Sequence, residues 1–232
     1  MIIDCIADLH GNYPKLDGGD LLIVAGDLTA HNEGMEYIDF LEWLVLETKY
    51  RKKIFIAGNH DVLIEKHGIK IPAGYGEEYE TEYLCDSGTE FEGLKIWGSP
   101  WTPWFHGVHP QCKAFMKSDS QLSKHWEKIP LDTDILITHG PPFGMLDKTT
   151  HGIYAGSKLL ADRLLKLKLK LHIFGHIHEA YGQCHQAYET YANCPDEIFD
   201  EQNTSPIGHL SINCSYVNER YEPVNKPIRI EI

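Results

Sequence analysis

The sequence predicts an α/β layered fold with a mixed β-sheet, and three observations support this class. Short apolar runs alternate with longer segments of mixed polarity along most of the 232 residues, as strands alternate with helices. Many of these runs are β-branched or aliphatic, and several end directly in Gly, Asp or His. The C-terminal third has such runs without helical patterns between them, so we expect antiparallel as well as parallel strands.

Eight apolar runs are predicted to be strands, and three segments between them are predicted to be helices. The strands are residues 2–7, 21–25, 53–57, 94–97, 135–138, 171–174, 209–215 and 228–232. The helices are residues 34–50, 118–128 and 157–168, and Ser157 is the expected N-cap of the last one. Residues 68–83 and 180–207 are predicted to be long surface loops.

Length and composition predict one soluble domain covering residues 1–232. Hydrophobic residues make up 42% of the chain and charged residues 24%, and we find no internal repeat and no linker-like segment. The formal net charge is −13, and a field of that sign repels polyanions and anionic membrane surfaces. We therefore expect no stable nucleic-acid complex and no membrane partner, while the oligomeric state stays open.

The amino terminus and the cysteines favour a cytoplasmic location. The first seven residues lack a basic flank and are expected to form a strand, not a signal peptide. No apolar run approaches the roughly 20 residues that span a bilayer. The six cysteines are scattered without a C-x-x-C motif, which favours reduced thiols. A disulfide between Cys184 and Cys194 is the alternative in an oxidising compartment.

Potential metal ligands follow five of the predicted strands, often beside a glycine that we expect to let the chain turn sharply. Ligands collect at the carboxyl ends of strands in open α/β sheets, so these blocks are expected to meet in one pocket. Any single block is explained equally well as a turn or loop, and it is the conjunction that favours a site. The ligands are Asp8, His10, Asp27, Asn59, His139, His176 and His178.

Seven ligands of this kind are too many for one ion and suit two. Carboxylate, amide and imidazole donors without thiolates favour Mn, Fe, Zn or Mg, with manganese the first choice. One carboxylate can bridge two cations about 3.5–4 Å apart, and Asp27 is the expected bridge. Such a pair generates a hydroxide nucleophile at neutral pH and neutralises charge during displacement at phosphorus.

The five blocks resemble the signature of the calcineurin-like metallophosphoesterases. They read D-L-H, G-D, G-N-H-D, H-G and G-H-I-H, in this order across residues 8–178. The resemblance implies a four-layer αββα sandwich with mixed β-sheets and a dinuclear metal centre. It also implies that His60 and Asn59 bind the phosphate and that His60 protonates the leaving group. The implied ligands are Asp8, His10 and His178 for the first metal, Asn59, His139 and His176 for the second, and Asp27 for both.

A narrower resemblance is to the metallophosphodiesterase-domain branch, whose animal members are known as brain protein 239. The branch is associated with metal-dependent phosphodiesterase activity, including activity on cyclic nucleotides. Some animal members with weak activity have a glycine at one histidine of G-H-x-H, whereas His176 and His178 are both present here, which implies a complete centre. The matching segments are residues 98–105, 139–142, 175–182, 212–215 and 223–228.

The function expected from these residues is hydrolysis of a small phosphodiester such as a nucleotide, by metal-bound hydroxide with His60 as general acid. A metal-dependent phosphomonoesterase is the first alternative. It would need extra cationic groups for the second phosphate charge, and no arginine lies beside the motifs. A non-catalytic protein-binding scaffold of the same fold is the second alternative, and the complete ligand set argues against it.

Other histidines and aromatic residues have weaker interpretations. His106 and His151 lie in segments expected to border the pocket, whereas His172 is expected to be structural. The aromatic cluster that contains Trp97 and Phe105 either packs near the core or stacks on a nucleobase, and packing is preferred for Trp97.

Overall fold

Two β-sheets pack face to face in the computed structural model of this protein, which describes residues 1–46, 49–71, 80–105, 112–187 and 208–232. The strands are β1 (Ile2–Ile6), β2 (Gly19–Ala25), β3 (Tyr50–Ile56), β4 (Thr81–Tyr83), β5 (Ser87–Phe91), β6 (Leu94–Ser99), β7 (Thr102–Pro103), β8 (Met116–Lys117), β9 (Ile135–Thr138), β10 (Leu171–Phe174), β11 (Gly182–Ala187), β12 (Gly208–Asn213) and β13 (Ile228–Glu231). The helices are α1 (Gly34–Leu46), α2 (Val62–His67), α3 (Asp119–Trp126) and α4 (Lys158–Leu164).

Both large sheets are mixed, as the sequence predicts. The first sheet has the order β13-β1-β2-β3-β4, and its strands are parallel except for β13. The second sheet has the order β11-β12-β10-β9-β6-β5, in which the two edge strands are antiparallel to their neighbours. Because the central strands of each sheet run parallel, their carboxyl ends lie at one edge, where loops can meet.

The hydrophobic core has three parts that define four layers. Between the sheets, Ile3 and Ile23 form one buried cluster with residues of the second sheet such as Ile173. The outer face of the first sheet is covered by α1, whose Phe40 packs against Phe55 with ring centroids 5.2 Å apart. The outer face of the second sheet is covered by α3 and α4. This order of layers confirms the predicted αββα sandwich.

The predicted strands and helices are present, with shifted ends. Helix α1 ends at Leu46 and not at residue 50, because Tyr50 begins β3 and pairs with Gly19. Ser157 is the N-cap of α4 and accepts a hydrogen bond from the backbone N–H of Leu160, as predicted. Within the described ranges, no helix is long and apolar enough to cross a membrane.

The prediction of two long surface loops is wrong in part. Residues 81–83, at the end of the first, form β4 beside β3. Residues 182–187, in the second, form β11, an edge strand whose polar sequence carries little strand signal but pairs along its whole length with β12. The remaining stretches 72–79 and 188–207 lie outside the described residues, and so do His106, His109 and Cys194.

Candidate metal centre

The predicted ligands meet at the carboxyl ends of five strands, three in the first sheet and two in the second. The sheets are joined at this edge, because the backbone N–H of Ala7 donates to the carbonyl of Cys214 at 2.9 Å. Cys214 in turn donates its N–H to Phe174 at the end of β10. The loops after β1 and β10 are therefore held side by side, although 168 residues separate Asp8 from His176.

One group of four ligand atoms lies between the loops after β1, β2 and β10. These atoms belong to Asp8, His10, Asp27 and His178, and all lie within 4.8 Å of one another. Nε2 of His10 is 3.3 Å from Nε2 of His178 and 3.6 Å from Oδ2 of Asp27. Oδ1 of Asp8 is fully buried and has no hydrogen-bond partner in the described part of the chain. A buried anionic oxygen without a donor needs a cation, so this set fits a divalent metal.

A second group surrounds the other oxygen of Asp27. Nε2 of His139 lies 3.4 Å from Oδ1 of Asp27 and 2.9 Å from Oδ1 of Asn59. The imidazole of His176 packs against that of His139 with ring centroids 4.9 Å apart. Asp27 thus presents Oδ2 to His10 and Oδ1 to His139. This geometry fits a carboxylate shared by two cations.

Hydrogen bonds on the far side of the ligands fix their orientation. Nδ1 of His139 donates to the carbonyl oxygen of Ala25 at 3.1 Å, so Nε2 is the ring nitrogen that faces the site. The other carboxylate oxygen of Asp8 accepts hydrogen bonds from the backbone N–H of His176, at 2.9 Å, and from the Ser215 hydroxyl. Such outer contacts tune ligand basicity and geometry in metal sites.

The backbone of this site is strained. Four ligands have positive φ angles, 53° at Asp8, 43° at His10, 51° at Asp27 and 72° at His176. Residues other than glycine in this region cost about 1–3 kcal/mol each and cluster at functional sites. The surrounding fold stabilises a backbone that would not form locally.

The glycines beside the ligands allow close packing as well as sharp turning. A Cβ on Gly58 would lie 2.2 Å from Oδ1 of Asp27, and one on Gly175 would lie 2.3 Å from Oδ2 of Asp8. Neither glycine has a left-handed backbone, but each begins a tight turn, as predicted: the carbonyl of Gly58 accepts from the N–H of Asp61 at 3.2 Å, and that of Gly175 accepts from the N–H of Ile177 at 2.9 Å. At Gly26 the turn does have a left-handed backbone, with a φ of 98°.

Burial and charge set opposite pKa shifts within the site. Burial alone would lower the pKa of His139, but the adjacent carboxylate of Asp27 and its hydrogen bond raise it to about 9. Burial also lowers the pKa of His10, to about 3, because the attraction of Asp27 is smaller than the desolvation there. Burial disfavours the ionised form of Asp27, yet His139 and His60 hold its pKa well below the ordinary value.

His60 lies beside the ligands with its ring at the site. Nε2 is 4.0 Å from Oδ2 of Asp27, and the backbone N–H donates to Oδ1 of the same carboxylate at 2.8 Å. On the other side of the ring, Nδ1 is 3.7 Å from the Sγ atom of Cys112. The amide of Asn59 donates to the carbonyl of Cys112 at 3.0 Å. The sequence reasoning missed Cys112, which has no motif of its own.

The last residue of the G-N-H-D block, Asp61, connects two ligand loops. Its carboxylate is fully buried and accepts hydrogen bonds from the backbone N–H of Gly58 at 2.8 Å and of Leu28 at 3.2 Å. Burial, together with the nearby charge of Asp27, raises its pKa to about 7. Asp61 therefore positions the loops after β2 and β3 and does not reach the site itself.

Half-exposed aromatic rings border the site on both sides. Phe105 packs against His176, with ring centroids 5.4 Å apart, and 42% of its surface is exposed. Tyr221 packs against His10 and His178, and the sequence did not single it out because it lies over 40 residues beyond the last ligand block. Of the other predictions, Trp97 packs in the core as expected.

Of the other histidines with a prediction from the sequence, one is buried and one is exposed. His172 is fully buried, and its Nε2 lies 2.9 Å from the hydroxyl of Thr138, as expected for a structural residue. His151 is exposed.

Comparisons with known proteins agree with this geometry. The sequence profile of the calcineurin-like phosphoesterase family matches residues 1–180. Metallophosphoesterase domain-containing protein 1 of Homo sapiens is 33% identical over 98% of this chain and 70% of its own length. A UPF0046 protein of Caenorhabditis elegans is also 33% identical, over 82% of this chain and 73% of its own. A solved structure from Thermus thermophilus shares the fold, with a TM-score of 0.57 and 16% identity over 81% of this chain and 85% of that one. The chain belongs to the calcineurin-like phosphoesterase family and is a metal-dependent phosphoesterase.

Proposed function

We propose that this protein is a dinuclear-metal phosphodiesterase that hydrolyses small phosphodiesters such as nucleotides, cyclic ones included. The observation that carries the proposal is the position of Asp27. Its Oδ2 lies 3.6 Å from His10 and its Oδ1 lies 3.4 Å from His139, so one carboxylate faces both ligand groups. Two-metal phosphoesterase sites need such a bridging ligand to hold the ions about 3.5–4 Å apart.

The donor set supports two divalent ions, with manganese first and iron, zinc or magnesium as alternatives. When bound, the ions supply an activated water and neutralise charge on the reacting phosphoryl group. The chain's part is to hold the imidazoles and carboxylates at fixed positions around the ions. The proposed division is Asp8, His10 and His178 for one ion, Asn59, His139 and His176 for the other, and Asp27 between them.

His60 is the proposed general acid. Its ring borders the site, with Nε2 4.0 Å from Oδ2 of Asp27, and we do not propose it as a metal ligand. An imidazole beside a reacting phosphate can donate a proton to the departing alkoxide, which contributes typically 10²–10⁴-fold to rate. Asn59, next to it in the chain, is the proposed second contact to the phosphate.

The aromatic border supports a diester over a monoester. Phe105 and Tyr221 are half-exposed and offer apolar surface beside the ligands. A diester carries a second organic group that such surface can contact, whereas a monoester carries a second negative charge that needs cations instead. The phosphomonoesterase and the non-catalytic scaffold are therefore the competing outcomes of the test.

The test is hydrolysis by protein stripped of metal and reloaded with Mn²⁺. Rates are compared for bis(p-nitrophenyl) phosphate and p-nitrophenyl phosphate, with a chelator as the control. We expect a clear preference for the diester that disappears with the chelator. A preference for the monoester would replace the proposal with a phosphatase, and bound metal without activity on either ester would favour the scaffold.

A further inference from the structure

A tight turn near the carboxyl terminus places one tyrosine on the ligands of the proposed first metal. The ring of Tyr221 lies 4.8 Å from the ring of His10 and 5.3 Å from that of His178, at interplanar angles of 78° and 88°. The ring of His60 is 6.1 Å away. The ring of Tyr221 therefore makes edge-to-face contacts with two imidazoles and lies close to a third.

The turn that carries this tyrosine is held by its own hydrogen bonds. The side-chain oxygen of Asn218 accepts from the backbone N–H groups of Arg220, at 2.9 Å, and Glu222, at 3.0 Å. The carbonyl of Asn218 accepts from the N–H of Tyr221 at 2.9 Å. Tyr221 itself has a φ of 62°, a conformation that costs a bulky residue energy. Because these hydrogen bonds hold Tyr221 in its strained conformation, its ring is in place before a ligand binds.

The surface of this ring is open to a ligand. Although it contacts buried imidazoles, Tyr221 keeps 52% of its surface exposed. An aromatic ring can contact an organic group of any ester but offers no full positive charge to a phosphate oxygen. The ring is therefore suited to the uncharged part of a substrate and not to its phosphoryl oxygens.

We propose, on the basis of the phosphodiesterase function above, that Tyr221 is a specificity residue that contacts the ester group that stays on phosphorus. The ring favours diesters whose retained group is large and planar over those whose retained group is small. Its position over His10 and His178, on one side of Asp27, puts this contact on the first-metal side of the site.

The experiment removes the ring without straining the turn. Tyr221→Asn suits this purpose because asparagine adopts positive φ more readily than most residues, and Tyr221→Phe keeps the ring. The substrates are bis(p-nitrophenyl) phosphate and methyl p-nitrophenyl phosphate, which share a leaving group and differ only in the retained group. We expect Tyr221→Asn to lower kcat/KM at least about ten-fold for the first ester and less than about two-fold for the second. Tyr221→Phe should match the wild type on both.

A binding measurement provides a readout that does not depend on turnover. The Kd of phenylphosphonate and of methylphosphonate is measured by calorimetry on Mn²⁺-loaded wild type and Tyr221→Asn, after the metal content of each is checked. Only phenylphosphonate should bind more weakly to the variant. Tyr154→Ala is the matched control, since Tyr154 is 38% exposed and packs on Phe143 and not on the ligands.

The outcomes separate this inference from the proposed function. Equal losses on both esters, or no loss on either, would overturn the role of Tyr221 while leaving the phosphodiesterase intact. If the metal-loaded wild type hydrolyses neither ester, the proposed function fails. In that case the phosphonate measurement still decides whether Tyr221 contacts an organic group on phosphorus.

Discussion

The imidazole of His178 donates a hydrogen bond from Nδ1 to the carbonyl oxygen of Asn218 at 3.1 Å. Because a carbonyl can only accept, Nδ1 is the donor, and Nε2 is the ring nitrogen that faces the ligand group. The same carbonyl accepts from the N–H of Tyr221. A single backbone oxygen in the C-terminal turn therefore fixes both a proposed metal ligand and the aromatic ring above it.

Replacement of Asp27 tests the bridging role. Asp27→Asn keeps the shape of the side chain but removes the negative charge that faces both His10 and His139. We expect the number of Mn²⁺ ions per chain to fall from two to one or none, measured by elemental analysis after reloading. The control is Asp162→Asn, an exposed carboxylate on α4, which should retain both ions. Two ions retained in Asp27→Asn would show that the bridge is elsewhere.

Replacement of His60 tests proton donation to the leaving group. His60→Ala should keep its metal content, because the ring is not among the proposed ligands. We expect kcat to fall about 10²–10⁴-fold for a dinucleoside phosphate, whose alkoxide leaving group needs a proton. The loss for a p-nitrophenyl diester should be much smaller, because p-nitrophenolate leaves without protonation. A loss of equal size for both substrates would assign His60 to binding and not to acid catalysis.

The long, apolar elements of the fold could be predicted from the sequence, while short elements at the edges could not. Strand β10 is an uninterrupted buried run and is recognisable by itself. Strand β11 reads Gly-Gln-Cys-His-Gln-Ala and exists because β12 offers a free edge to pair with. Helix α2 has only six residues, too few for a helical pattern to stand out, although Asp61 and Gly68 flank it.

The site, too, could be predicted from the sequence only in part. The ligand blocks are visible in the sequence because they follow recognisable strands. Cys112, Asn218 and Tyr221 reach the site through tertiary packing, and none of them belongs to a ligand block. The role of Gly175 was also hidden, because its close approach to Asp8 depends on how the two sheets join.

Buried histidines outside the site predict a loss of stability in acid. Burial lowers the pKa of His209 from 6.5 to about 4 and holds that of His172 well below 6.5. Between pH 6.5 and 4 the unfolded chain binds protons that the folded chain does not, so the free energy of unfolding falls as the pH falls through this range. His209 alone contributes about 3 kcal/mol of this loss, or about 1.4 kcal/mol per pH unit.

The measurement is urea unfolding of chelator-treated protein at several pH values from 7.5 to 4.5. His209→Gln cannot take up the proton, so below pH 6.5 its free energy of unfolding should depend on pH less steeply, by up to about 1.4 kcal/mol per unit. His67→Gln, at an exposed position at the end of α2, is the control and should keep the wild-type slope. An unchanged slope in His209→Gln would mean that His209 titrates alike in both states.

A methyl group at Gly175 tests whether close packing at a ligand matters for metal binding. In Gly175→Ala the new Cβ would lie 2.3 Å from Oδ2 of Asp8 and 2.6 Å from the Cβ of Ala7, and Ala7 is fixed in the core between the sheets. Asp8 must therefore move, and we expect Mn²⁺ affinity, measured by calorimetry, to fall about 10–100-fold. Gly34→Ala is the matched control, because nothing lies within 4 Å of its new Cβ. Equal Mn²⁺ affinity in the two variants would show that Asp8 tolerates displacement and that its position does not limit binding.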